Sequence, residues 1–509
     1  MQSHFYHFAE NFMKVIAVLF TALIAVSAFL LTGYNYDLTG HKYDIRMDYI
    51  GVSLIGILVV LSFGILLYSL IKRNMQKRLK IFMWIVVAWY VAAGLYLALF
   101  GRSMPDSDCW VVYAMSKSIA NGDLSIINPT QSYMSYYPQQ IGICSFLALI
   151  IKIIDIFPVT IEEFHFIIAL YAVFEGVTIF FLYKSVDAIW SSDRAKFAFL
   201  YLSIFNFPYI MYSSYLYGEI PALMFFSIGA YFLSLLFTEK GRTFLNIIIS
   251  VFALSMSVFV RKNTLILIIG LLIALFFHFI KTKSYKYLVT GLIIGACAFL
   301  ILPMTVKIYE KKTGNTLTTG VTAKSYIAMG MMESNEVEPG WYNGFNFNTF
   351  EASECNPEIA NEISSEMIKE RVMFFKENPK EAWHFYKRKF LSQWTDGTYA
   401  SRESTHTYYG DRSKFVTKLY SEEYGLYYII ACNIIQTIVF CGNLIWALCS
   451  LGKGTRGNLW KSFIFIGIFG GFLFHMLWEA NSRYILTYAV LLFLYAAKGY
   501  AYIFGDRKI

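Results

Sequence analysis

The stretch GRSMPDSDCWVVYAMSKSIANGDLSIINPTQSYMSYYPQQIG, from Gly101 to Gly142, interrupts a chain that is otherwise dominated by apolar segments. It opens with two carboxylates, Asp106 and Asp108, and it closes with the aromatic-proline sequence Tyr136–Pro138. The apolar segments on both sides have the length of membrane-spanning helices. The pattern predicts a polar loop that helices hold at a bilayer surface, and we expect this loop to carry the chemistry.

The composition of the chain excludes an ordinary soluble protein. Of 509 residues, 57% are hydrophobic and only 15% are charged, whereas a soluble domain is about half apolar and about a quarter charged. The formal net charge of +9 is better explained by basic cytoplasmic loops than by nucleic-acid binding. The sequence therefore predicts an all-α polytopic membrane protein, embedded in a lipid bilayer and without a nucleic-acid partner.

Apolar windows predict about twelve transmembrane helices. With the N-terminus inside, the basic loops 72–80, 240–242 and 281–286 fall on the cytoplasmic side, as the positive-inside rule requires. The predicted spans are approximately 14–32, 49–71, 81–100, 163–184, 196–212, 219–237, 243–260, 264–281, 287–306, 424–448, 462–478 and 483–503.

The apolar segment 139–157 is left out of this count. Counting it as a crossing would place three basic loops outside, and Lys152 and Asp155 interrupt it. We therefore expect it to form a juxtamembrane helix within the first large external loop. An ordinary short span is the alternative.

Two regions between the predicted spans are long enough to form external structure. The first is the loop 101–162, which belongs to a membrane module covering residues 1–307. The second, residues 308–423, has helical patterns such as the one at 356–377 and predicts a small, mostly helical external domain. Residues 424–509 are expected to form the C-terminal transmembrane helices.

The unusual ionisable residues near the predicted helix ends gather at one face of the membrane, the external one. Charges near a bilayer are costly, so such clustering favours function over chance. The residues are Asp106, Asp108, Glu219, Arg261, Lys262, Glu479 and Arg483.

Each of these residues also has a purely structural interpretation. The two loop aspartates can be solvated acids, and Glu219 can be a helix N-terminal acid that the helix dipole favours. Arg261 and Lys262 can form a snorkelling turn, and Arg483 can pair with Glu479 one helical turn away. Four separate coincidences at one face make the structural account the weaker one.

The chemistry that fits this face is transfer of a group carried on a lipid phosphate. A carboxylate at the surface can act as general base toward an incoming hydroxyl. The basic pair Arg261 and Lys262 can bind and neutralise the departing phosphate. Nucleotide sugars are cytoplasmic, so an external reaction needs an isoprenoid-phosphate donor, whose tail would lie in apolar grooves between the helices.

Three motifs lie in the first external loop: Pro105–Asp108 followed by Tyr113-Ala114, then Ala120–Asp123, then Tyr136–Pro138. Together they resemble the GT-C superfamily of polytopic glycosyltransferases, and more narrowly its protein-mannosyltransferase-like and Gram-positive cell-wall polysaccharide branch. The resemblance implies that an acid in this loop is the catalytic base. It also implies that the Tyr-Tyr-Pro sequence opens a juxtamembrane helix.

Two later motifs extend the resemblance. Tyr217–Pro221 is similar to a second acidic motif of this superfamily, and Asn481–Tyr484 is similar to its late arginine-tyrosine motif. The chain departs from the family in lacking an adjacent Asp-Glu pair, because one serine separates Asp106 from Asp108. Either aspartate can then be the base, and the spacing to Tyr113 favours Asp108.

The resemblance implies an inverting glycosyltransferase of the bacterial plasma membrane with its active site on the extracytoplasmic face. The sugar would pass from a polyprenyl-phosphate donor to a cell-wall glycopolymer, a lipid-linked glycan or a protein. Asp108 or Asp106 is expected to be the base, and Glu219 to orient the substrate. The expected substrate-binding residues are Arg261, Lys262, Arg483, Glu479, Tyr137 and Trp394.

The sequence carries no clear signature of a metal or cofactor site. Seven cysteines lie scattered without CxxC or Cys/His spacing, which predicts neither a metal site nor a disulfide framework. A divalent ion near Asp106 and Glu219 is an option without a complete set of ligands.

The polar tract before the last helices is expected to contact the acceptor. Gln393, Trp394, Asp396 and Arg402 would face a glycan there, because tryptophan faces stack on sugar rings. The alternative is that aromatic side chains of this tract dock the external domain on lipid.

Two further functions compete with glycosyl transfer. A lipid-glycan flippase or solute transporter also suits twelve spans, but we expect no inverted repeat and no polar residues at mid-membrane depth, which disfavours transport. A polysaccharide polymerase or ligase shares the donor type, and the basic residues Arg388, Lys389 and Arg402 are typical of its late external loop.

Overall fold

The computed structural model describes residues 2–34, 38, 43–128, 132–157, 163–317, 319–452 and 457–506, with side chains from His4 onward. Helices make up nearly all of the regular structure in these residues. The exception within them is one antiparallel pair of short strands, β1 (Thr32–Tyr34) and β2 (Asp44–Arg46).

The described chain contains twenty-two α-helices, several of them joined by single 3-10 turns. In chain order they are α1 (Gln2–Leu30), α2 (Ile50–Ile71), α3 (Met75–Phe100), α4 (Ser107–Ala120), α5 (Tyr133–Tyr136), α6 (Ile141–Ile154), α7 (Glu163–Trp190), α8 (Asp193–Ser203), α9 (Phe207–Met211), α10 (Glu219–Phe237), α11 (Thr243–Val260), α12 (Leu265–Thr282), α13 (Tyr285–Thr313), α14 (Ala323–Gly330), α15 (Phe345–Ala352), α16 (Pro357–Glu377), α17 (Pro379–Trp394), α18 (Ser401–Thr405), α19 (Lys414–Tyr420), α20 (Glu422–Ser450), α21 (Phe463–Leu477) and α22 (Leu486–Ile503).

Eleven of the helices in the described residues are long and apolar enough to cross a membrane. Their burial varies widely: α22 is almost wholly surrounded by other helices, whereas α2 exposes most of its apolar surface. An apolar helix of this kind is stable in a bundle core or against lipid. The architecture is consistent with the all-α polytopic membrane protein that the composition predicts. The eleven helices are α1, α2, α3, α7, α10, α11, α12, α13, α20, α21 and α22.

The predicted span 196–212 is not one continuous helix. It consists of α8, which has 11 residues, and of α9, which has 5. The chain leaves helical geometry at Asn206, two residues before Pro208. Proline has no backbone N–H, so a helix that continued through Pro208 would lose a backbone hydrogen bond; here the proline instead lies in the first turn of a new helix. Two short helices therefore replace this one of the twelve predicted spans.

The broken segment nevertheless connects the two ends of the helix bundle. At one end Ser192, the residue before α8, hydrogen-bonds Asp506 near the end of the described chain. At the other end Tyr212, just after α9, donates to the backbone carbonyl of Tyr399 at 2.6 Å. The α8–α9 segment thus passes through the bundle as two helices, and the break between them lies inside the bundle.

The segment predicted as a juxtamembrane helix forms a 3-10 turn, Pro138–Gln140, followed by α6. It is shorter than the eleven helices above. A Cβ atom on Gly142 would overlap the backbone carbonyl of Phe259, so α6 packs closely on the end of α11. Farther along α6, Leu149 and Ile153 are exposed, as expected for an apolar surface that meets lipid.

Helices α14 to α19 form the region that was predicted as an external domain, and the β1–β2 hairpin packs against it. The backbone N–H of Tyr43 donates to Glu338 at 2.8 Å, and Arg388 binds the same carboxylate through two nitrogens, each at 2.7 Å. A bidentate pair of this kind fixes orientation as well as distance. Ser413 donates to the Phe100 carbonyl at 3.0 Å, which joins the region to the end of α3.

Residues 391–402, which lead from α17 into α18, are all buried. Trp394 packs edge-on against Phe20 at 5.3 Å and also contacts Phe440. Asp396 accepts hydrogen bonds from backbone N–H groups of the following turn, at 2.8 and 2.9 Å. The segment is therefore a packed joint between the helical region and the bundle.

Replacing Trp394 with alanine is expected to destabilise the protein strongly, because it empties a fully enclosed site. The expected loss in the free energy of unfolding is about 3–5 kcal/mol. Trp383→Ala is the matched control: Trp383 lies on the same helix but is 66% exposed, so its loss should cost about 0.5 kcal/mol or less. Denaturation of the purified protein in detergent measures both, and equal losses would contradict the assignment of Trp394 to the core.

Candidate active site

The first loop aspartate, Asp106, is engaged in local structure. It is the N-cap of α4 and accepts a hydrogen bond from the backbone N–H of Ser107 at 2.6 Å. Its second oxygen accepts from Thr407 Oγ1 at 2.9 Å. Ser107 has a left-handed backbone, with φ 49°, which residues other than glycine rarely adopt. Both carboxylate oxygens of Asp106 thus have structural partners, as is usual for an N-cap.

The second loop aspartate, Asp108, is exposed in the first turn of α4 and has no hydrogen bond or ion pair to any described residue. Its charge acts on two neighbouring tyrosines, Tyr137 and Tyr217. Burial raises the pKa of both phenols, and the Asp108 carboxylate adds to the rise. A free carboxylate therefore stands beside phenols that stay protonated at neutral pH, and it can accept a proton from a bound hydroxyl.

Glu219 is a buried carboxylate between two arginines. Arg261 Nη2 lies 2.8 Å from Glu219 Oε1, and Arg483 Nε lies 4.0 Å from the same oxygen. Neither contact has hydrogen-bond geometry. The three side chains come from the start of α10, the end of α11 and the turn before α22. A buried charge is tolerated only when it is paired, so these residues form one unit, the Glu219–arginine cluster.

Aromatic residues of the Tyr215–Tyr217 segment hold the two guanidinium groups. Arg483 donates to the hydroxyl of Tyr215, and Arg261 lies over the ring of Tyr217 with 5.6 Å to its centre. Gly218 follows, and a Cβ atom there would overlap the last backbone carbonyl of α11. Glycine is required for this close approach, which brings Glu219 to Arg261.

Glu479 lies in the turn between α21 and α22. Its contact is with Tyr484, whose hydroxyl donates to Oε1 at 2.6 Å, and not the local pair with Arg483 considered from the sequence. Burial raises the pKa of Glu479, and the hydrogen bond from Tyr484 opposes the rise. The charge of Asp108 also acts on Glu479, so the loop aspartate and this turn face the same space.

Two other predicted substrate-binding residues lie beside these groups. Lys262 is exposed in the 3-10 turn that begins directly after Arg261. Tyr137 is half-buried, with its ring 5.1 Å from that of Tyr133. The structure thus places Asp108, Tyr137, the Glu219–arginine cluster, Lys262 and Glu479 at the same end of the helix bundle.

The prediction that Gln393, Trp394, Asp396 and Arg402 face an acceptor glycan is wrong. All four side chains are buried. The polar ones make contacts within the protein: Gln393, for example, donates to the backbone carbonyl four residues earlier at 2.9 Å. A tryptophan in a polar tract looks the same in sequence whether it stacks on a sugar or fills a core.

The basic residues that suggested a polymerase or ligase are committed to internal contacts. Arg388 pairs with a buried glutamate of the helical region, and Arg402 donates to two backbone carbonyls at the end of α19. Lys389 Nζ donates to the carbonyls of Gly330 and Trp478 at 2.5 and 2.7 Å. These side chains form no open basic surface for a glycan.

No three His, Cys, Asp or Glu side chains come together as metal ligands in the part of the chain that is described. Asp106 and Glu219, considered for a divalent ion, have Thr407 and Arg261 as partners. All seven cysteines are free. Burial raises the pKa of Cys109, so the thiol beside Asp108 stays protonated and is a poor nucleophile.

Sequence reasoning missed several residues of this region. Tyr215 and Tyr217 hold the arginines, and Gln140 donates to the Tyr217 hydroxyl. The Tyr-x-Tyr-Gly-Glu spacing was the available signal. The expectation of no polar residue at mid-membrane depth is also wrong: Glu175, near the middle of α7, is fully buried.

Comparisons with known proteins do not assign the chain to a family. No family model matches the sequence, and no curated protein matches it either. The resemblance to polytopic glycosyltransferases therefore stays a prediction.

Arg261→Met should destabilise the protein because it leaves the Glu219 carboxylate with only the more distant guanidinium. The expected loss in the free energy of unfolding is about 3–5 kcal/mol. Adding Glu219→Gln should recover most of it, since the unpaired charge is then gone. Denaturation of the single and double variants in detergent measures the coupling, with the exposed Lys262→Met as control. Strictly additive losses would show that the pair is not a unit.

Lys389 is expected to make stability depend on pH. Burial lowers the pKa of Lys389 from 10.5 to about 7, so between these pH values the folded chain holds one proton fewer than the unfolded chain. Stability attributable to Lys389 should therefore rise as the pH increases through this window.

Thermal unfolding across this window, compared between wild type and Lys389→Met, measures the effect. The dependence of stability on pH should be weaker in Lys389→Met than in wild type. It should be unchanged in Lys387→Met, which removes an exposed lysine of the same helix. A wild-type stability curve parallel to that of Lys389→Met would contradict the lowered pKa.

Proposed function

We propose that the chain is a membrane glycosyltransferase that moves a sugar from a polyprenyl-phosphate donor to a cell-wall glycopolymer, a lipid-linked glycan or a protein, with inversion at the anomeric carbon. The observation that carries the proposal is the pairing of two features at one end of the bundle. Asp108 is a carboxylate without an internal partner, and it stands on the same side as two guanidinium groups, Arg261 and Arg483.

The guanidinium groups are suited to the donor phosphate. Arginine presents a planar set of N–H donors that matches phosphate oxygens and stays charged at all relevant pH values. Glu219 neutralises only part of this charge, because one carboxylate faces two arginines. Lys262, exposed beside Arg261, adds a further cation. The Glu219–arginine cluster together with Lys262 carries a net positive charge, which supports binding of an anionic leaving group.

The acceptor would react beside Asp108. The hydroxyl oxygen of the acceptor forms a bond to the anomeric carbon of the donor sugar while Asp108 takes the hydroxyl proton. The bond between that carbon and the donor phosphate breaks, and the electron pair stays on a phosphate oxygen that the arginines stabilise. The protonated phenols of Tyr137 and Tyr217 can donate hydrogen bonds to sugar oxygens. One displacement of this kind inverts the configuration.

The polyprenyl tail needs apolar surface close to the phosphate. Helix α6 packs on the end of α11, directly before Arg261, and exposes Leu149 and Ile153. A lipid chain lying along this surface would leave its phosphate at the level of the arginines. This arrangement supports a lipid-linked donor over a water-soluble one.

Transport of a lipid-linked glycan or a solute is the second candidate. The break between α8 and α9 and the buried Glu175 are features that transporters use at mid-membrane depth. A polymerase or ligase would share the donor, but its expected basic surface is occupied by internal contacts. We further propose that the protein lies in the bacterial plasma membrane with its active site on the extracytoplasmic face.

The test uses the purified protein in nanodiscs with a panel of radiolabelled undecaprenyl-phosphate sugars and candidate acceptors. One donor is expected to be consumed. Asp108→Asn should lower its turnover about 10²–10⁴-fold, as loss of a general base does, while binding of the donor persists. Sugar release and donor binding are measured on the same preparations.

Asp106→Asn is the matched control. Asparagine caps a helix as well as aspartate does, so this variant should keep most of the wild-type turnover. Loss of turnover in Asp106→Asn alone would move the base to that residue. If no donor is consumed, and proteoliposomes instead carry the labelled lipid across the bilayer unchanged, the enzyme proposal fails and transport replaces it.

A further inference from the structure

A second buried carboxyl group lies away from the proposed site. Glu175 is near the middle of α7 and has no exposed surface. Neither of its oxygens has a hydrogen-bond partner among the described residues, and no ion pair reaches it there. The carboxyl group is thus enclosed by protein near the middle of a helix that is long and apolar enough to cross a membrane.

Among the described residues, the elements packed around Glu175 bring phenols and no cation. Tyr90 of α3 and Tyr209 of α9 are the titratable groups on which the charge of an ionised Glu175 would act. The Tyr90 hydroxyl donates elsewhere, to the carbonyl of Ser203 at 2.7 Å. The backbone N–H of Ser213 faces the carboxyl group but lies outside hydrogen-bond geometry.

Unsatisfied polar groups accumulate at this point. The hydroxyl groups of Tyr209 and Ser214 are also buried without a partner in the described structure. Tyr209 lies within α9, just after the break, and Ser214 ends the 3-10 turn that follows α9. Broken helices at membrane depth are tolerated where they line a polar site, and the three unpartnered groups mark one here.

The comparison with Glu219 shows what Glu175 lacks. Both glutamates are buried, but Glu219 has two guanidinium groups beside it, whereas Glu175 has none. An isolated carboxylate in such surroundings costs many kcal/mol, so a group of this kind takes up a proton or a cation instead. A neutral carboxylic acid removes the charge without any further ligand.

We infer that Glu175 is a proton-binding site within the membrane, occupied at neutral pH and placed beside α9 and the 3-10 turn that follows it. The site is connected to the proposed substrate-binding residues through the α8–α9 segment. The same connecting segment continues to Tyr215 and Tyr217, which hold Arg483 and Arg261. Loss of the proton would place a charge beside this segment. The inference does not depend on the proposed reaction.

Infrared difference spectroscopy tests the protonation state directly. At pH 7 in detergent, the spectrum of wild type minus Glu175→Gln is expected to contain one carboxylic-acid carbonyl band, with the small downshift in D₂O that such a group shows. Glu219→Gln is the matched control for a buried glutamate. Its difference spectrum should contain carboxylate bands and no acid band, because Glu219 is paired with arginine.

Two outcomes would overturn the inference. Carboxylate bands in the Glu175 difference spectrum would show an ionised group. Carboxylate bands in sodium chloride that give way to an acid band in choline chloride would show a sodium site. Glutamine matches the neutral acid in shape, so Glu175→Gln should fold and melt like wild type.

A second measurement needs no variant. A hydrophobic carbodiimide adds to protonated carboxyl groups in apolar surroundings, and the adduct then rearranges to a stable N-acylurea. Mass spectrometry of treated wild-type protein should find the adduct on Glu175 and not on Glu219. An adduct on Glu219 alone would contradict the inference.

Discussion

A carboxylate buried near the end of a membrane helix has to be neutralised where it stands, and the Glu219 carboxylate is neutralised by arginines from distant parts of the chain. Arg261 lies 2.8 Å away, and Arg483 lies 4.0 Å away. Because an unpaired charge at this depth would be costly, the start of α10, the end of α11 and the turn before α22 have to meet. Gly218 makes this possible, since it lets two backbones touch.

Polar groups elsewhere at this end of the bundle are mostly used up by internal contacts. Asp106 caps α4, Arg388 holds Glu338, and Lys389 binds two carbonyls. The contacts of Lys389 with Trp478 and of Thr407 with Asp106 tie the helical region α14–α19 to the rest of the protein. Asp108 differs from these residues, because it is among the few charged side chains at this end of the bundle that have no partner in the described structure.

Much of the architecture could be predicted from the sequence, because hydrophobic length and charge bias report membrane helices directly. The short helix α6 and the gathering of Glu219 and Arg261 at one face followed from the same reasoning. The helix break at Pro208 and the burial of Trp394 did not, since both depend on packing partners far away in the chain. Glu175 was overlooked because a single acid hardly changes the hydropathy of a long apolar window.

Binding of a lipid phosphate is the measurement that tests the central claim most directly. Native mass spectrometry of the detergent-solubilised protein would compare undecaprenyl phosphate with undecaprenol, which has the same tail and no phosphate. The account predicts that wild type and Asp108→Asn retain the phosphate lipid, that Arg483→Gln retains much less of it, and that undecaprenol binds weakly to all three. Equal binding of both lipids, or an unchanged affinity in Arg483→Gln, would contradict a phosphate site at the Glu219–arginine cluster.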